Sequence, residues 1–164
     1  MSKRNVIIIG AAGRDFHNFN TFFRGNANYN VVAFTAAQIP DIDDKMYPAV
    51  LAGDLYPEGI PILPEEQLPE LIKKYNVHDC VFAYSDVHYQ KLMNLAAKIN
   101  ALGANFVLLG ANETMLKSTK PVIATGAVRT GGGKSEASRR IVDEIKALGL
   151  KVIAIRHPMP YGDL

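Results

Sequence analysis

Cysteine is almost absent from this sequence: Cys80 is the only one in 164 residues. A single thiol excludes an intramolecular disulfide framework and any cysteine-based zinc cluster. Long apolar runs are missing too. Met1, Ser2, Lys3 and Arg4 lead into the short run Val6 to Ile9, far below the length of a secretory core or a membrane-spanning helix. Neither sign of charge dominates, since 18 basic and 16 acidic residues leave a net charge of +2. The basic residues are scattered apart from Arg139 and Arg140, so composition gives no footprint for nucleic acid. The chain also lacks internal repeats and low-complexity tracts. Together these absences predict a cytoplasmic protein that engages neither nucleic acid nor membrane.

What is present is a core-forming composition, 48% hydrophobic with a mean hydropathy of +0.02, enough for one globular domain or one and a half. Residues 5–10 (NVIIIG) form an apolar, β-branched run ending in glycine, the pattern of a parallel strand buried on both faces. Residues 29–34, 60–63, 79–84 and 105–109 read as four further strands. Helices are expected over 16–24, 64–75 and 87–102, and residues 38–59 as mostly loop with a turn of helix within 47–53. This βαβ alternation predicts an α/β protein built on a parallel doubly wound, Rossmann-like sheet. Around residues 111–120 the chain turns polar, which places a joint there. The expected division is 1–118 as the Rossmann-like domain and 119–164 as the beginning of a phosphate-loop nucleotide-binding domain.

The most informative segment lies in that second part. Residues 121–124 read as a strand, 126–135 (GAVRTGGGKS) as a glycine-rich turn, and 136–148 as a helix. Strand, glycine-rich turn, Lys-Ser and helix is the grammar of a nucleoside-triphosphate phosphate loop. Glycines let backbone N–H groups converge on phosphate oxygens, and the helix they open adds its positive dipole end. In this reading Gly131, Gly132, Gly133 and Lys134 bind the nucleotide phosphates, and the Ser135 hydroxyl supplies Mg²⁺ with a hard oxygen ligand. Val128 stands where the usual pattern has its first glycine. The register from Arg129 to Ser135 instead resembles the deviant loop of the nitrogenase iron protein and partition-ATPase class, whose opening basic residue is usually lysine. A bare connecting turn is the competing reading, but it accounts poorly for three glycines directly before Lys-Ser.

After the loop helix come the apolar run 151–155 (KVIAI) and the ending RHPMPYGDL, too little for a complete phosphate-loop sheet. Either a carboxyl-terminal remainder or a homo-oligomer is expected to cover the exposed edge.

The segments GAVRTGGGKSEASRR, KVIAI and RHPMPYGDL, together with IIIGAAGRDFHNFN and YPAVLAGDLYPEGIPI, resemble the cyclic 2,3-diphosphoglycerate synthetase family, including relatives described as predicted GTPases. The resemblance covers essentially the whole chain, and family members continue for a few hundred more residues. It implies an ATP-dependent ligase or phosphotransferase that closes an intramolecular phosphoanhydride in 2,3-diphosphoglycerate, with release of ADP and phosphate and with Mg²⁺ as cofactor. Lys134, Arg129 and Asp163 are then the catalytic candidates. Arg129 faces either the transferring phosphoryl group or a neighbouring subunit's nucleotide, and Asp163 is the acidic residue near the γ-phosphate.

Two further groups are candidates for holding an anionic, small phosphorylated substrate. Arg156 and His157 belong to the Pro-rich ending, which also reads as a rigid strand exit without chemistry. Arg14 and His17 follow the partial fingerprint Gly10, Gly13, where a tight turn without ligand explains the glycines equally well. Ser85 and Asp86 read chiefly as helix caps, His78 as surface polarity, and Cys80 as a small core residue.

Alternatives to the synthetase are a GTPase-type regulator or chaperone and a non-catalytic nucleotide- or acyl-cofactor-binding module on the first domain. GTP is the expected nucleotide of the first alternative, although the guanine-specifying Asn-Lys-x-Asp element is not visible in the chain.

Overall fold

A computed structural model of the chain describes residues 2–11, 13–37, 45–83, 87–127 and 132–155. The chain divides into two units, with the change between Leu116 and Lys117.

The first unit is a six-stranded sheet in the order β3-β4-β2-β1-β5-β6. Its strands are β1 (Arg4–Ile9), β2 (Tyr29–Ala36), β3 (Met46–Tyr47), β4 (Ile60–Pro64), β5 (Asp79–Phe82) and β6 (Asn105–Val107). All pairings are parallel except the short edge pair β3 with β4. This is the α/β, Rossmann-like architecture that the alternation of apolar runs predicts. From β1 the chain moves outward to β2 and β4, then crosses back to β5 on the other side of β1. The point where the order reverses therefore lies between β1 and β5.

β1 is sandwiched between two apolar layers, as its unbroken β-branched run requires. Val6 and Ile8 point into one layer with Phe16, Phe19, Phe34, Tyr47 and Tyr56. Ile7 and Ile9 point into the other, with Leu68, Leu71, Ile72 and Ile99. The first layer comes from α1 (Arg14–Asn18), the π-helical turn Phe19–Phe23 that continues it, and the segment carrying β3 and α2 (Ala49–Ala52). The second comes from α3 (Leu68–Lys74), entered through a 3-10 turn at Glu65–Gln67, and α4 (Tyr89–Ala101).

Two expectations need correction in this unit. Within the stretch expected as mostly loop, α2 is the expected turn of helix, but Met46–Tyr47 form an edge strand and Tyr47, Ala52 and Tyr56 are buried. The Tyr47 ring stacks on Phe16 at 4.7 Å between centroids, and the Tyr56 hydroxyl accepts a hydrogen bond from the Val31 N–H at 3.1 Å. Aromatic burial outweighs the turn-like composition there. The polar stretch after β6 also contains a short helix, α5 (Ala111–Thr114), whose Thr114 is 1% exposed. The joint with the second unit follows it.

The second unit contains α6 (Lys134–Ala147), which takes the place expected of the loop helix. The runs 121–124 and 151–155, expected as strands, are not hydrogen-bonded into a sheet. Their apolar side chains are bare, with Val122 at 70%, Ile123 at 64%, Ile153 at 88% and Ile155 at 95% exposure. A strand is defined by its neighbour, and among the described residues neither run has one. Among those residues no helix is long and apolar enough to cross a membrane.

Candidate functional site

The expected phosphate loop lies partly within the described residues. Gly133 stands immediately before α6 with φ +79°, a left-handed conformation that glycine adopts without the penalty of a Cβ. Lys134 and Ser135 are the first two residues of the helix. Ala137 donates its N–H to the Gly133 carbonyl at 3.0 Å, closing the first turn. Among the described residues no side chain caps the helix, and the amides of its first turn, which have no partner within the helix, point beyond its end. These are the donors a phosphate uses. Lys134 and Ser135 are both exposed, and among the described residues no side-chain hydrogen bond or ion pair holds either.

The loop's approach is anchored on the helix itself. The Thr125 and Ser138 hydroxyls lie 2.7 Å apart, and Ser138 also donates to the Lys134 carbonyl at 2.8 Å. This links the segment before the glycines to the first turn of α6, a contact that the motif alone did not reveal. Arg140 pairs with Glu144 at 2.7 Å on the exposed face one turn on, the behaviour of a solvated helix face. Arg129 and Gly131 lie outside the described residues, as do Asp163, Arg156 and His157.

In the first unit Arg14 and His17 are brought together, but on the protein's own backbone and hydroxyl. Arg14 Nη2 donates to Thr114 Oγ1 at 2.8 Å, and His17 Nε2 lies 2.6 Å from the Thr114 carbonyl oxygen. Both side chains thus fasten α5 to α1. Gly10 has φ +120°, and a Cβ there would stand 2.7 Å from Asp15 Oδ2. Its role is steric, because Asp15 is 2% exposed and cannot swing away cheaply. Gly13 has open space around it. Cys80 is fully buried, and desolvation pushes its thiol up to about 12, which keeps it protonated and inert.

His78 is better integrated than its sequence surroundings imply. Its Nδ1 accepts the Asn5 N–H at 3.1 Å, and its backbone bridges β1 and β6. Next to it, Asp79 accepts two hydrogen bonds from Arg4, both at 2.7 Å, and one from Asn105 at 2.8 Å. These contacts hold its carboxyl below the usual carboxylate value, against the opposing effect of burial. The cluster joins β1, β5 and β6 at their amino-terminal ends, away from the edge where ligands bind in such sheets.

No family model matches the chain. Over 162 residues it is 58% identical to a protein named arginine synthetase ArcE, from Thermococcus kodakarensis; the match covers 99% of this chain. The chain spans 36% of that relative's length. The relative thus bears the name of a synthetase, but of arginine and not of cyclic 2,3-diphosphoglycerate. Among solved structures, UDP-D-quinovosamine 4-dehydrogenase from Vibrio fischeri superposes with a TM-score of 0.52 at 18% identity, covering 66% of this chain and 80% of that one. The Rex-family repressor RSP gives a TM-score of 0.46 at 15% identity, over 91% of this chain and 64% of that one. At such identity the likeness to the dehydrogenase concerns the fold alone.

Proposed function

We propose that this chain is the amino-terminal part of a nucleotide-dependent synthetase whose triphosphate is held by residues 129–135. The observation that carries this reading is the start of α6, without a side-chain cap among the described residues, behind a left-handed Gly133, with Lys134 and Ser135 at its first two positions. The 58% identity to a protein named as a synthetase supports the same general class, a nucleotide-binding enzyme.

In this reading ATP is the phosphoryl donor. The free amides of the first turn of α6 and Gly132 and Gly133 line the phosphates, and Lys134 neutralises the β- and γ-oxygens. Arg129 faces the transferring group. Mg²⁺ supplies further charge neutralisation, and the exposed Ser135 hydroxyl fits a ligand position for it. The protein's work is to position and to compensate charge.

The γ-phosphoryl group passes to an oxygen of the acceptor and ADP leaves; a second nucleophile then displaces that oxygen as inorganic phosphate. For an arginine-forming synthetase the acceptor is the ureido amino acid with arginine's carbon skeleton. Ammonia attacks its activated carbon, the C–O bond breaks, a C–N bond forms and the guanidinium results. The resemblance of GAVRTGGGKSEASRR and RHPMPYGDL to cyclic 2,3-diphosphoglycerate synthetases favours a second reading with the same first half. There the acceptor is one phosphate of 2,3-diphosphoglycerate, and its other phosphate closes the ring. Arg156 and His157 are the proposed contacts to an anionic acceptor and Asp163 the acidic group near the γ-phosphate; Arg14 and His17 are committed to Thr114. Exposed apolar runs 121–124 and 151–155 are proposed to pair with strands from the remainder of the longer protein.

The test supplies the full-length protein with ATP and Mg²⁺, and either the ureido amino acid with ammonium or 2,3-diphosphoglycerate. ADP, arginine and cyclic product are measured. Arginine formation that falls about 10²–10³-fold in Lys134→Ala supports the first reading, and cyclic product alone moves the assignment to the second. Nucleotide turnover with GTP that ignores both acceptors contradicts both and returns the regulator.

A further inference from the structure

Outside the phosphate loop, the first unit has a cleft of about 220 Å³. It lies at the carboxyl-terminal edge of the sheet, on the layer covered by α3 and α4. Its lining comes from three strand ends and one helix: Ala37 directly follows β2, Glu65 directly follows β4, and Phe82 ends β5. Lys91 stands in the first turn of α4, and Val87 and Leu95 complete apolar walls. This is the side of an open α/β sheet where ligands bind, near the reversal of strand order. The volume is below the roughly 300 Å³ at which pockets for larger ligands begin, so the occupant is small.

The walls are apolar, yet two opposite charges open onto the same space. Glu65 is half-buried, and desolvation pushes its carboxyl up while the charges of Lys91 and Lys98 pull it down and Glu66 pushes it up further. Lys91 is near enough to act on Glu65, but no ion pair joins them among the described residues. Glu65 is partly exposed and Lys91 exposed, so an acid and a base open onto one small apolar cleft, and among the described residues neither is the other's ion-pair partner. On the same face of β2, two residues inward from Ala37, Thr35 is fully buried, and its Oγ1 has no hydrogen-bond partner among the described residues.

We infer that this cleft binds a free α-amino acid with an uncharged side chain, its ammonium on Glu65, its carboxylate on Lys91 and its side chain against Phe82, Val87 and Leu95. A zwitterion is the small molecule that presents both charges together with an apolar or neutral remainder. The inference goes beyond the nucleotide-dependent reading, because it concerns a different site and does not depend on Lys134.

The experiment is calorimetric titration of the full-length protein with the twenty standard L-amino acids and the ureido amino acid, each alone, without nucleotide. At least one with an uncharged side chain is expected to bind. The complex weakens at least about tenfold in Glu65→Gln and in Lys91→Gln, the loss of one charge-assisted contact. Lys91→Arg keeps most of the affinity, and Lys134→Ala keeps all of it. The N-acetyl and amide derivatives of the binding amino acid, each lacking one charge, lose affinity in the same way. Thermal melts of each variant check that the fold is retained. The inference is overturned if no amino acid in the panel binds, if binding is unchanged in both cleft variants, or if it is lost only in Lys134→Ala. Failure of the synthetase reading leaves a different trace, ATP binding that is absent or indifferent to Lys134.

Discussion

At the scale of single residues, conformation and burial separate glycines and charges that look alike in the sequence. Gly10 and Gly13 both belong to the turn after β1, but only Gly10 combines φ +120° with a Cβ position against the Asp15 carboxylate. Gly10→Ala is expected to destabilise the protein by about 1–3 kcal/mol. Gly13→Ala has open space and should cost clearly less; denaturant unfolding of the two variants provides the comparison. Asp79 gives a pH signature. Its folded carboxyl is held below its ordinary value of 3.8 by Arg4 and Asn105, so the folded state gains stability wherever the unfolded chain still binds the extra proton. That gain is complete above the ordinary value and is lost as the pH falls through the lower, folded value. Asp79→Asn should therefore lower the melting temperature at neutral pH. The gap to the unaltered protein should close in acid, below about pH 4, as thermal melts across pH will show.

At the scale of elements, legibility followed how much of an element's pattern is local. β1 was visible as VIII because both faces are buried, and α6 because its glycines and Lys-Ser mark where it begins. β3 has two residues and carries no periodicity to read. The segment around it reads as mostly loop because aspartates, prolines and tyrosines dominate its composition, while its packing depends on aromatic partners far along the chain. Phe16 lies 4.9 Å from Phe34 and 4.7 Å from Tyr47, measured between ring centroids, so it ties α1, β2 and β3 into one layer. Phe16→Ala should cost about 3–5 kcal/mol in chemical unfolding, with β3 and α2 losing amide protection first. The runs 121–124 and 151–155 show the opposite limit. Their composition is that of buried strands, but pairing is not a property of a single segment.

At the scale of the whole molecule, the two units carry different kinds of information about function. The first is a Rossmann-like sheet whose topology was legible from apolar runs, yet its cleft was not. Glu65 and Lys91 face the same cleft because β4 ends and α4 begins at the same edge of the sheet. In the second the sequence predicts a phosphate loop from GGGKS, and the structure describes Gly132 to Ser135 of it at the start of α6. The relative named as a synthetase is nearly three times as long as this chain, so the acceptor is a matter for the full-length protein.

The most direct measurement is calorimetric titration of ATP with Mg²⁺ into the full-length protein and its Lys134→Ala variant. The account predicts one saturable site that weakens by about 10²-fold or more when Lys134 is removed, about 2.7 kcal/mol, with the melting behaviour of the first unit unchanged. Binding of equal strength in both proteins would place the nucleotide elsewhere and contradict the assignment of residues 129–135 as the phosphate site.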